Sequence, residues 1–110
     1  MVAGIIEHNR DAIVALGRKH RVQALWVFGS AATERWDPET SDIDVLVDLG
    51  EYEIGVVDRY LDLADDLEAL LERRVDLVSV GGLRHHPRFR EELDRTKVTL
   101  YERASTPAVA

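Results

Sequence analysis

Asp42-Ile43-Asp44-Val45-Leu46-Val47-Asp48 is the stretch on which the fold turns. Ile43, Val45 and Val47 point one way and Asp42, Asp44, Leu46 and Asp48 the other, the two-residue period of a β-strand. Asp42 and Asp44 therefore share a face, with Cα atoms about 6.5–7 Å apart. Ionised carboxylates at that spacing repel each other, and a hard divalent cation such as Mg²⁺, which takes oxygen ligands, relieves the repulsion. The plainer reading is a pair of solvated acids on an open sheet face. Ser41 directly ahead of so short a block weighs against it.

Working outward, Ala24-Leu25-Trp26-Val27-Phe28 is apolar on both faces and too short for a helix, so it reads as a central strand covered on both sides. Ahead of it, Ile5, Ile6, Asn9, Ala12, Ile13 and Leu16 recur at helical spacing, predicting a helix over 3–18 that stops at Gly17. Beyond the Asp42 strand, residues 56–72 predict an amphipathic helix. Val57, Tyr60, Leu61, Ala64, Leu67 and Leu71 form its apolar stripe, and Asp58, Asp62, Asp65, Asp66 and Glu72 its solvated side. Arg73 and Arg74 follow, where cations complement the helix dipole. A strand over 75–80, a short helix over 84–94 and a strand over 98–101 complete an α-β-α-β-α-β-α-β order. That order predicts an α/β (α+β) domain around a small mixed four-stranded sheet, with a frayed tail at 104–110.

Composition bounds the function. The chain has 110 residues and no cysteine, which excludes a disulfide scaffold and thiolate zinc sites and fits a cytoplasmic location. Its 14 Lys and Arg against 21 Asp and Glu give a net charge of −7, so no basic stripe displaces counterions and no direct nucleic-acid binding is expected. Carboxylates can still handle phosphates through bound metal ions. No apolar run approaches a membrane span and no leader precedes the first helix, so no membrane partner is expected.

Two further elements carry chemistry. Phe28-Gly29-Ser30 closes the buried strand, and a helix starting at Ser30 would aim free N–H groups at a phosphate. An ordinary strand-to-helix turn with Ser30 as N-cap is the alternative. Asp76 interrupts an apolar strand, where burying it unpaired is costly. It pairs with Arg73 or Arg74, lies at an exposed strand end, or supplies a third carboxylate to metals. His85-His86 reads as an exposed pair before Pro87, with metal binding as the alternative. Trp26 and Tyr60 read as core. Trp36 either stacks on a base or partner or packs over its loop.

Taken in order, Phe28-Gly29-Ser30, Ser41-Asp42-Ile43-Asp44-Val45-Leu46-Val47 and Arg74-Val75-Asp76-Leu77 resemble the minimal nucleotidyltransferases of the DNA polymerase β superfamily. The resemblance covers roughly residues 5–101. It implies that Asp42, Asp44 and Asp76 hold two Mg²⁺ ions, with Asp76 nearer the nucleophile. It further implies that Gly29 and Ser30 position the triphosphate of ATP, with Thr33 and Ser41 as further nucleotide contacts. In the minimal family the partner is a HEPN-domain toxin, and the reaction transfers AMP to a tyrosine of that toxin. One departure stands out: where the family carries a basic residue and a glycine after Gly-Ser, this chain has Ala31-Ala32-Thr33-Glu34. That predicts reduced nucleotide affinity unless Arg35 compensates. The competing readings are an antitoxin that acts by docking with a vestigial nucleotide site, and a transferase for a small-molecule acceptor.

Overall fold

The computed structural model describes residues 2–85 and 87–103, with the side chains of 84–89 outside the described part. The expectations for His85-His86 and for the 104–110 tail therefore lie outside it. Four strands form one mixed sheet in the order β3-β2-β1-β4, with β1 Ala24–Phe28, β2 Ile43–Asp48, β3 Val75–Ser79 and β4 Val98–Glu102. β1 runs antiparallel to both β2 and β4, whereas β2 and β3 are parallel and joined by the crossover helix α3, Val56–Leu71. Helices α1 Gly4–His8, α2 Arg10–Lys19 and α4 Pro87–Thr96 complete the fold. No helix among the described residues is long and apolar enough to cross a membrane.

Alternation along the strands divides the core in two. Leu25, Val27, Ile43, Val45, Val47, Val75 and Leu77 face α1, α2 and α3 and bury Ile6, Ile13, Leu63, Leu67 and Leu71 against them. Phe28 and Leu46 face the other way and are covered by Leu83 and by Leu93 of α4, with Trp26 and Val78 packed at the edge. Asp44 and Asp76, sharing the face of Leu46 and Val78, therefore lie on the side that α4 covers.

Three local features differ from the sequence reading. The first helix breaks at Asn9, whose side-chain amide donates to the Ile5 carbonyl at 2.8 Å and competes with regular helix hydrogen bonding. It also runs past Gly17 to Lys19, because Gly17 is a contact point: a Cβ there would lie 2.7 Å from the Tyr101 ring. The helix expected at Ser30 is one 3₁₀ turn, Gly29–Ala32.

The apolar stripe of α3 keeps Tyr60, Ala64, Leu67 and Leu71 of the expected set, but Leu63 takes the place of Val57 and Leu61. Leu63, Leu67 and Leu71 are buried, while Val57 is 60% and Leu61 51% exposed. Sixteen residues of helix span about 24 Å against about 17 Å for a five-residue strand. The first turns of α3 thus overhang the sheet. Leu63→Ala is expected to cost about 2–5 kcal/mol in denaturant unfolding, and Leu61→Ala less than about 0.5 kcal/mol.

Candidate active site

Register alone assembles the centre of the site. In the parallel ladder Asp44 lies opposite Asp76, and in the antiparallel ladder Asp44 lies opposite Phe28. The last residue of β1 thus delivers Gly29 beside the carboxylate pair. A Cβ built on Gly29 would sit 2.6 Å from Asp44 Oδ2, and Gly29 has φ +67°, a conformation that side chains rarely adopt. Glycine here provides space for the Asp44 carboxylate.

The electrostatics are concentrated on Asp44. Burial, then the negative charges of Asp76, Glu92 and Asp42, and a hydrogen bond shared with Asp76, push its pKa from 3.8 up to about 6. Asp42 precedes β2 and is exposed, and its charge reaches Asp44. Asp76 is about half exposed and has Arg74 as its cationic neighbour, with Nε 3.7 Å from Oδ1. Arg73, the other candidate for that role, is spent elsewhere. It donates to the carbonyls of Ser41, at 2.9 Å, and Pro38, and its guanidinium lies 5.0 Å from the Trp36 ring centroid. Trp36 accordingly packs against the core and pins the loop between β1 and β2.

The Gly29–Ala32 turn has a different character from the expected helix start. The Gly29 N–H donates to Thr96 Oγ1 at 2.9 Å, so it is occupied, and a single 3₁₀ turn builds little helix dipole. Thr33 Oγ1 donates to the Ser30 carbonyl at 3.2 Å and accepts the Arg35 N–H at 3.2 Å, which commits its only O–H within the loop. Ser41 Oγ accepts the Asp37 N–H at 3.1 Å and closes the loop just before Asp42. Helix α4 brings two groups that the sequence reading missed, Glu92 and Thr96. Their one helical signal is an i, i+4 polar spacing, which any solvated face shares.

Among the described residues no group of three or more His, Asp or Glu side chains stands close enough to hold a metal ion. Asp44 and Asp76 are paired across the ladder, and Asp42 lies near enough for its charge to raise the Asp44 carboxyl. The donors are all carboxylate oxygens, and the charge of Asp76 opposes ionisation of Asp44, a repulsion that a hard divalent cation relieves. The chemistry of the set therefore fits such a cation.

Paired aspartates on adjacent parallel strands, beside a glycine-serine turn on a small mixed sheet, define the nucleotidyltransferase class. Residues 11–106 match the family described as Polymerase beta, Nucleotidyltransferase, and the chain belongs to that family. Relatives in Methanocaldococcus jannaschii carry the provisional name protein adenylyltransferase. One is 34% identical over 79 residues, 72% of this chain and 76% of the relative; another is 33% identical over 88 residues, 80% and 89%. A solved structure assigned as a minimal nucleotidyltransferase superposes with a TM-score of 0.70 at 35% identity, covering 89% of this chain and 95% of that one. The same fold recurs in a complex of a tri-AMPylated Shewanella oneidensis HEPN toxin with its MNT antitoxin. There the TM-score is 0.61 at 21% identity, with 87% of this chain and 71% of that chain covered.

Proposed function

We propose that this chain transfers the adenylyl group of ATP to a hydroxyl, that of a tyrosine, on a HEPN-domain toxin and neutralises the toxin by doing so. The observation that carries the reading is the Asp44–Asp76 pair set beside Gly29 by strand register. Family membership supports the transfer chemistry, and the names of the relatives favour a protein acceptor and an adenylyl donor. The AMP groups on the HEPN toxin of the Shewanella complex support the choice of partner.

In the reaction the acceptor oxygen bonds to the α-phosphorus while the bond from that phosphorus to the bridging oxygen breaks. Pyrophosphate leaves with the bonding electrons, and the hydroxyl proton passes to a base. Asp76, half open to solvent beside Asp44, is placed to take that proton. Ser30, at the turn beside Asp44, orients the triphosphate with its hydroxyl. Asp42, Asp44 and Asp76 would hold two Mg²⁺ ions, which when bound neutralise phosphate charge and ease ionisation of the acceptor.

The test is to incubate the chain with Mg²⁺, ATP labelled at the α-phosphate and the HEPN-domain product of the adjacent gene. Label is expected on that protein, and is expected to vanish in Asp42→Asn and Asp44→Asn. Full neutralisation of the toxin by both variants would instead establish inhibition by docking.

A further inference from the structure

We infer that Arg35 captures the triphosphate of the nucleotide and that Glu92 holds its guanidinium at the rim of the Gly29–Ser30 turn until the nucleotide arrives; this rests on the adenylyl-transfer reading and deepens it. The four positions after Ser30 are Ala31, Ala32, Thr33 and Glu34, so the turn itself supplies no cation. Arg35 is the next residue, and a closed ring of contacts fixes where it sits. Its N–H donates to Thr33 Oγ1, and Thr33 Oγ1 donates to the Ser30 carbonyl, each at 3.2 Å. Its Nη2 lies 3.1 Å from Glu92 Oε1. One turn along α4 from Glu92, Thr96 Oγ1 donates to the Glu92 carbonyl at 2.8 Å and accepts the Gly29 N–H at 2.9 Å. The guanidinium is therefore tied to the phosphate turn from both sides, through the loop and through α4.

Among the described residues, three cations near the carboxylates already have partners. Arg73 is committed to the Ser41 and Pro38 carbonyls and to Trp36. Arg74 lies against Asp76, and Lys97 against Asp94. The Arg35–Glu92 pair is exposed at both ends, and such pairs are weak enough to exchange one anion for another. A triphosphate carries more charge than one carboxylate and accepts the planar guanidinium in a two-pronged contact. Arg35 would thus leave Glu92 for the phosphates with little loss.

A holding carboxylate and a merely structural ion pair make opposite demands on Glu92, which gives the experiment its edge. The affinity of the 110-residue chain for the α,β-methylene analogue of ATP with Mg²⁺ is measured by calorimetry for the wild type, Arg35→Ala, Arg35→Lys and Glu92→Gln. Arg35→Ala is expected to weaken binding at least about tenfold and Arg35→Lys by less. Glu92→Gln is expected to tighten it, since the competitor for Arg35 and one repelling charge are gone. Wild-type affinity in Arg35→Ala, or weakening in Glu92→Gln to match Arg35→Ala, overturns the assignment. Failure of the wild type to bind the analogue overturns the adenylyl-transfer reading itself, and is thereby told apart from failure of Arg35 alone.

Discussion

Asp44→Asn is expected to abolish transfer, by at least about 1,000-fold, and at the same time to make the protein more stable at pH 7. The two effects have one cause. Burial and the charges of Asp76, Glu92 and Asp42 raise this carboxyl to about 6 in the folded chain, from 3.8 ordinarily. Between those values the folded state holds a proton that the unfolded state has released, so unfolding becomes easier as pH rises. Stability is whole below about pH 4 and declines as pH passes through about 6, after which the ionised carboxylate remains a fixed cost. The full displacement would correspond to about 3 kcal/mol, and with the carboxyl partly open to water about 1 kcal/mol survives screening. Asparagine has the same shape and no charge to repel. Thermal melts from pH 4 to pH 8 should show the wild type losing stability across the interval and Asp44→Asn losing less, with a melting temperature at pH 7 about 4 °C higher than wild type. Equal slopes in the two proteins would mean that Asp44 is not the strained member of the site.

What was legible in the chain and what was not follows from the reach of each signal. The alternation of Ile43, Val45 and Val47 fixes both the strand and the face that Asp44 takes, because side-chain period in a strand is local geometry. That 75–79 is a neighbouring strand was legible too, but the register that sets Ile43 against Val75 and hence Asp44 against Asp76 is visible only in the folded sheet. Helix detail was harder. The stripe on α3 could be drawn through Val57 and Leu61 or through Leu63, and only the length of the sheet beneath decides between them. Gly17 looked like a stop because the ring it accommodates, Tyr101, lies at the far end of the chain. The contact from Gly29 to Thr96 spans 67 residues and involves a threonine in an ordinary polar face, so nothing local announces it. The missing cation after Ser30 was visible from the start; where a replacement could stand became visible only with α4 in place.

Gly29→Ala carries the other large expected effect, and a second glycine isolates its origin. Alanine at φ +67° incurs backbone strain of about 1–2 kcal/mol. Its Cβ would also fall 2.6 Å from Asp44 Oδ2, closer than real Cβ atoms approach anything. Asp44 faces Asp76 across the ladder, and relieving the clash requires its carboxylate oxygen to shift from the position it holds beside that partner. Transfer should fall at least about 100-fold, and stability by about 2–4 kcal/mol when the clash is added to the strain. Gly55 has φ +89°, and a Cβ there would meet nothing within 4 Å. Gly55→Ala therefore introduces comparable strain without touching the site, and it should lower the melting temperature while transfer stays within about twofold of wild type. A Gly29→Ala protein as active as Gly55→Ala would show that the position of the Asp44 oxygen is not what the turn protects. A large gap between them ties catalysis to the space that a missing side chain leaves for one carboxylate.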